Sequence, residues 1–188
     1  MHSNASTASD LEATLASDPY VASPAERHAY ERETFLSSAK SQLVLPRELE
    51  RLSTAITRRV ASAEAELGGV KAEIRRSPGR CIVQLGPVAL TISWVRSGAG
   101  SVAEGRLMAV EWRGTVARSP ERIPERAAPT GTPATLVRED VLMAVATGEP
   151  DWRWRRESTP EEAGHTSAEV AERCVDALLK SLAMQRQQ

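Results

Sequence analysis

The chain has 188 residues, of which 24 are Lys or Arg and 25 are Asp or Glu, so its formal net charge at pH 7 is −1. This balance excludes a strongly basic nucleic-acid coat protein and an acidic tail protein, and two cysteines are too few for a disulfide scaffold. No apolar run approaches the ~18 residues that a membrane-spanning helix needs.

The N-terminal part of the chain differs in composition from the rest. Residues 1–9 are small and polar, so we expect residues 1–22 to form a flexible segment, with a short helix starting at Asp10 as one option. Residues 23–185 are expected to form a single α+β domain. The N-terminus has no charged region followed by an apolar one, so a secretory signal is not visible and a cytoplasmic location is expected.

Two segments carry capping boxes that predict helix starts. Ser23-Pro24-Ala25-Glu26 combines a serine N-cap, a proline at the first helical position and a glutamate at N3, and predicts a helix to about residue 39. Thr166-Ser167-Ala168-Glu169 predicts a C-terminal helix with apolar residues along one stripe. That stripe contains Val170, Cys174, Leu178 and Leu182.

The most periodic segment follows Pro46. Apolar or small residues recur there at an average spacing of about 3.6, which predicts a long amphipathic helix that packs on the sheet or on a partner helix. Gly68-Gly69 predicts a kink or an end within it. The periodic positions are Leu49, Leu52, Ile56, Val60, Ala63, Leu67, Val70 and Ile74.

From Cys81 onward the pattern changes to the period of two that is typical of half-buried strands. Strands are predicted over residues 81–85, 88–96, 106–117 and 151–156, and a strand is favoured over a helix for 136–146. Proline is awkward at the second position of a two-residue turn, so Gly86-Pro87 predicts a wider loop or a bulge. Residues 97–105 are expected to be a flexible connection, and residues 118–134, with four prolines, a long surface loop.

The predicted helices and strands are segregated along the chain. This order favours an α+β fold, with an antiparallel sheet of four or five strands and with N-terminal helices and a C-terminal helix packed on one face.

The sequence WRWRR at residues 152–156 interleaves aromatic and basic side chains, as a nucleic-acid-binding surface could. However, strand alternation places the two tryptophans on one face and Arg153 and Arg155 on the other. Trp94 and Trp112 likewise share a parity with the most apolar residues of their own strands. We therefore interpret all four tryptophans as core residues.

The opposite, outer face of the predicted sheet is the candidate binding face. Small polar side chains beside arginines could accept a carboxylate-bearing segment or a phosphate, although an ordinary solvated sheet face gives the same pattern. The residues predicted to form it are Thr91, Ser93, Glu111, Arg113, Arg153 and Arg155.

The residue types that usually carry catalysis are scattered. Cys81 and Cys174 fit buried small hydrophobes, and His2, His28 and His165 show no metal-ligand spacing. These patterns therefore predict no catalytic residue, no metal site and no cofactor, while a Cys–His pair brought together by the fold stays open.

Three functions remain compatible with these patterns. The first is a non-catalytic protein-interaction or adaptor module with a protein partner or self-association and no membrane contact. The second is a nucleic-acid-associated regulator that uses the outward arginines. The third is a small enzyme whose pocket is covered by the 118–134 loop.

Overall fold

Six strands form one antiparallel sheet in a simple meander, with the order β1-β2-β3-β4-β5-β6. The computed structural model describes residues 23–63, 65, 67–96, 100–116, 134–148 and 151–187. The elements are α1 (Pro24–Ser37), α2 (Ala39–Ser62), β1 (Ala72–Ser77), β2 (Arg80–Leu85), β3 (Val88–Val95), β4 (Arg106–Arg113), β5 (Thr135–Ala146), β6 (Trp152–Arg156) and α3 (Ser167–Arg186).

This architecture confirms the α+β class, with the N-terminal helices and the C-terminal helix on one face of the sheet. The predicted number of strands was too low, because β1 occupies residues that the helical periodicity had absorbed. The segment 1–22, with its possible helix at Asp10, lies outside the described residues. Residues 117–133, which include all of the proline-rich loop except residue 134, also lie outside them.

Both predicted capping boxes are confirmed. At α1 the Ser23 N–H donates to Glu26 Oε2 at 2.6 Å and the Glu26 N–H donates to Ser23 Oγ at 3.2 Å. At α3 the Thr166 N–H donates to Glu169 Oε2 at 2.7 Å and the Glu169 N–H donates to Thr166 Oγ1 at 3.3 Å. These bonds satisfy backbone donors that a helix start otherwise leaves without partners.

The long helix α2 differs from its prediction at both ends. It begins at Ala39, capped by the Ser38 side chain, and contains Pro46 in its interior. It ends at Ser62, before Gly68 and Gly69, whose φ angles of +53° and +83° belong to the left-handed region. Glycine enters this region without steric cost, so the chain turns there and Ile74 continues in a strand.

The β2–β3 connection is also tighter than predicted. Leu85 pairs with Val88, so Gly86 and Pro87 alone form the turn. Proline is unfavourable at the second turn position when the residue before it has a right-handed helical conformation. Gly86 has a φ of +54°, so this conflict does not arise. Residues 136–146 form a strand, as favoured, with a β-bulge in the β4–β5 pairing between Glu111 and Trp112.

The core lies between the sheet and the helices. It contains Leu52, Ile56 and Val60 of α2, the predicted α3 stripe and side chains of β2, β3 and β4, and α3 contacts β3 and β6. Trp154 is buried, and its Nε1–H donates to Ser167 Oγ at 3.0 Å, while Ser167 Oγ–H donates to Glu48 Oε2 at 3.0 Å. This relay connects β6, α3 and α2.

Aromatic rings extend the core along the edge of the sheet. Trp94 contacts Trp154 with ring centroids 6.0 Å apart, Trp154 contacts Trp152 at 6.1 Å, and Trp152 contacts Phe35 at 6.3 Å. Such tilted and edge-on pairs contribute about 0.5–1.5 kcal/mol each beyond the burial of their area. None of the described helices is long and apolar enough to cross a lipid bilayer.

Two leucines of α2 provide a matched test of this packing. Leu52 is 1% exposed and Leu43 is 77% exposed. We predict that Leu52→Ala lowers the free energy of unfolding by about 2–5 kcal/mol, because it leaves a cavity under the helix. Leu43→Ala should change it by no more than about 0.5 kcal/mol. Urea unfolding of both variants measures this, and equal effects would contradict the described orientation of α2.

Candidate functional site

The strand register divides the sheet into two faces. The residues Val83, Leu90, Glu111 and Arg138 lie opposite one another in neighbouring strands and point toward the helices. The next row consists of Ile82, Thr91, Val110 and Glu139, and alternation places it on the other side. We call this other side the outer face.

Four of the six residues predicted to share a binding face lie on the outer face. Thr91 and Ser93 come from β3, and Arg153 and Arg155 pair with Val145 and Met143 at its β6 edge.

Glu111 and Arg113 of β4 do not belong to this set. The register places them on the helix side, where Glu111 is 6% exposed. The predicted face was therefore wrong at these two positions.

The inward and outward residues of β4 were exchanged in the prediction because this strand is apolar on both sides. Leu107 and Ala109 are buried in the core, whereas Met108, Val110 and Trp112 are half-buried on the outer face. The prediction that the tryptophans are core residues is thus confirmed for Trp152 and Trp154, which are buried, and for Trp94, which packs against the core. It is wrong for Trp112.

The outer face is more apolar than a solvated sheet face. Its apolar side chains come from four adjacent strands, and none of them belongs to the core that the helices cover. Antiparallel sheets with one solvated side usually carry polar residues there, and a contiguous apolar patch marks an interaction surface. The half-buried residues are Ile82, Met108, Val110, Trp112, Val141, Met143 and Val145, and Ala89 of β3 is fully buried among them.

Among the described residues, three of the five buried side-chain polar atoms without a hydrogen-bond partner lie on this face, and the other two, Glu111 Oε1 and Trp152 Nε1, lie on the helix side. Thr91 Oγ1, Trp112 Nε1 and Arg155 Nε are buried and have no hydrogen-bond partner among the described residues. A buried polar group left unsatisfied costs about 1–3 kcal/mol, so each of these atoms gains from an added partner. Sequence reasoning missed Met108, Val110 and Trp112, although the apolar character of both parities of β4 was a visible signal.

A polar cluster lies on the helix side, beneath α3. Arg138 forms an ion pair with Asp140, and Arg156 Nε lies 3.6 Å from Asp140 Oδ1. The hydrogen bond to Asp140 raises the pKa of Arg138. Glu111 lies opposite Arg138 on the same side of the sheet, and its Oε1 is buried without a hydrogen-bond partner among the described residues.

The C-terminal part of the β6–α3 connection adds a second set of contacts. Arg173 Nη1 donates to Glu162 Oε1 at 3.0 Å, and His165 Nε2 lies 3.0 Å from the same oxygen. The hydrogen bonds from Arg173, Thr159 and His165, in that order, lower the pKa of Glu162 to about 2. Glu162 is therefore an ionised acceptor over the physiological range and not a proton donor.

Neither cysteine is activated as a nucleophile. Burial raises the pKa of Cys81, and burial, followed by the nearby Asp140 carboxylate, raises the pKa of Cys174 to about 11. The thiolate is the reactive form, so these thiols are poor nucleophiles at neutral pH. Within the described residues, no group of three or more His, Cys, Asp or Glu could hold a metal ion.

A second surface lies between α2, the β5–β6 turn and the start of α3. It is an open cleft of about 980 Å³, lined by Arg47, Arg51 and Arg58 on one wall and by Arg153 and Ser167 on the other. We call it the arginine cleft.

No protein-family model, curated protein or solved structure matches this chain.

We predict that both native cysteines resist thiol reagents. Because both thiols are buried and their pKa values are raised, Ellman's reagent should label neither of them rapidly in the folded protein and both after denaturation. Met184→Cys, at a position 58% exposed, is the positive control. Rapid labelling of Cys81 or Cys174 in the native state would contradict this prediction and would make catalysis by that thiol a candidate function again.

The lowered pKa of Glu162 predicts a specific acid sensitivity. Its stabilising contribution is complete above the ordinary value of 4.5 and is lost as the pH falls toward about 2, because the unfolded chain binds the proton first. Glu162→Gln should remove this part of the pH dependence of unfolding, measured with urea between pH 4.5 and 2. The exposed neighbour variant Glu161→Gln should keep it, and identical profiles for the two variants would contradict the assignment.

Proposed function

We propose that the protein is a non-catalytic protein-interaction module whose outer face binds an apolar segment of a partner protein. This proposal rests on the apolar outer face. Its side chains lie outside the core that the described helices cover. Burial of apolar area stabilises a complex by about 25 cal/mol per Å², so such a surface favours association.

The arrangement of polar groups fits a protein interface. Apolar residues such as Val110 and Val141 lie on β4 and β5, while the charged residues are Glu139, which lies opposite Val110, and Arg153 and Arg155 at the β6 edge. An apolar centre with a charged rim is the usual anatomy of a protein interface. The unpartnered Trp112 Nε1 and Arg155 Nε are both donors, so a partner segment that offers carbonyl or carboxylate oxygens adds hydrogen bonds.

Other apolar surfaces support the proposal less well. Leu52, Ile56 and Val60 of α2 are buried in the chain's own core, so this stripe is already occupied.

The cytoplasmic location belongs to the same proposal, because both cysteines are free, and free buried thiols suit a reducing compartment.

The two alternative functions have less support. Three arginines were predicted to form a nucleic-acid interface on the outer face. Arg113 lies on the helix side, and only Arg153 and Arg155 lie on the outer face. The enzyme hypothesis depends on the 118–134 loop, of which only residue 134 is described.

Site-specific photo-crosslinking tests the proposal. A benzophenone amino acid at position 110, on the outer face, should give discrete cross-linked proteins in cells that express the chain, and one at exposed position 43 should not. A product with the mass of two chains identifies a second copy as the partner, and another mass identifies a different protein. Cross-linking to nucleic acid, or no excess over position 43, would contradict the proposal.

A substitution makes the same test quantitative. Val141→Lys places a charge in the middle of the outer face, and burying an unpaired charge is unfavourable, so it should reduce cross-linking at position 110 by about fivefold or more. Leu43→Lys adds the same charge to an exposed position of α2 and should leave the yield unchanged. Thermal unfolding of both variants verifies that the fold is intact.

A further inference from the structure

The arginine cleft carries a second inference, and it shares only Arg153 with the outer face. Arg47, Arg51 and Arg58 lie on one face of α2, because separations of four and seven residues return to the same side of a helix. At 1.5 Å per residue, they are displaced by about 6 Å and then about 10.5 Å along the axis. They form a column of positive charge about 16 Å long on one wall of the cleft.

The acidic residues of the cleft neutralise only one of these three arginines, Arg51. Glu48 accepts hydrogen bonds from Ser167 and pairs with Arg51, and Glu50 pairs with Arg76, so both carboxylates are already engaged.

Two arginines of the same wall are uncompensated. Arg47 and Arg58 are exposed and have no ion-pair partner among the described residues.

The opposite wall has one further cation and one further anion. Arg153 donates to the Gly164 carbonyl oxygen at 3.2 Å, which holds its side chain at the sheet edge beside the cleft. Asp151 is the acidic residue of this wall. The N-terminus of α3 also borders the cleft, but Glu169 caps it, so the arginines provide the attraction.

We propose that the arginine cleft binds an acidic peptide segment in an extended conformation. The two uncompensated arginines, Arg47 and Arg58, lie about 16 Å apart along the helix axis, which is the length of about five residues of an extended chain. Guanidinium groups bind carboxylates through charge-assisted, often bidentate hydrogen bonds, so a segment with carboxylates at this separation would pair with both arginines.

The lining favours a peptide over a single-stranded nucleic acid. Nucleic-acid grooves of this kind combine basic residues with exposed aromatic rings on which bases stack. The one aromatic residue that lines the described cleft, Trp152, is buried. The chain also carries a net charge of −1, so it offers no general attraction for a polyanion beyond this surface.

The test is a fluorescence-anisotropy titration with a labelled peptide of four Glu-Ser repeats. Arg47→Gln combined with Arg58→Gln should weaken its binding by about tenfold or more, because two charge-assisted contacts are lost. Arg27→Gln combined with Arg80→Gln changes the net charge equally at exposed positions outside the cleft and should weaken binding less than about twofold.

Several outcomes would overturn the proposal. These are equal weakening by the two double variants, no binding of the peptide by the wild-type chain, and tighter binding of an octathymidylate than of the peptide. Val141→Lys on the outer face should leave peptide binding unchanged, so failure here is distinguishable from failure of the proposed function.

Discussion

A sheet with apolar side chains on both faces requires that both faces be shielded from water, and this constraint governs the molecule. The three described helices shield one face, where Leu52, Ile56 and the α3 stripe belong to one buried cluster with side chains of β2, β3 and β4. The same alternation that directs Leu107 and Ala109 toward the helices directs Met108 and Val110 outward. The candidate interaction surface is thus a direct consequence of the register of the core.

The buried relay from Trp154 through Ser167 to Glu48 connects this core to the arginine cleft. Trp154 donates to Ser167, and Ser167 donates to Glu48, so a sheet strand and both long helices share one chain of hydrogen bonds. Because Glu48 is held by Ser167, the wall of the cleft is anchored to the rigid part of the molecule. A surface that is positioned by buried hydrogen bonds loses less conformational entropy when a ligand binds.

Local signals in the sequence predict the helices better than they predict which side of a strand faces the core. The capping boxes at Ser23 and Thr166 are confirmed because their side chains act on the next three residues alone. Strand β1 was missed because the apolar spacing of α2 continues by chance as far as Ile74, beyond the end of the helix at Ser62 and the turn at Gly68 and Gly69. In β3 and β6 the large apolar and aromatic residues lie on one face, so the sequence indicates the outward residues correctly. In β4 both faces are apolar and only the pairing with β3 decides between them, so the outward residues were assigned wrongly.

The central claim is that Met108 and Val110 lie on the side of the sheet opposite to the helices. Nuclear Overhauser contacts from their methyl groups measure this most directly. The described register predicts contacts across the strands to Ser93, Thr91 and Val141, and none to the methyl groups of Leu178 or Ile56 in the helices. Contacts from Val110 to Leu178 or Ile56 would place it in the core and contradict both the register and the surface that depends on it.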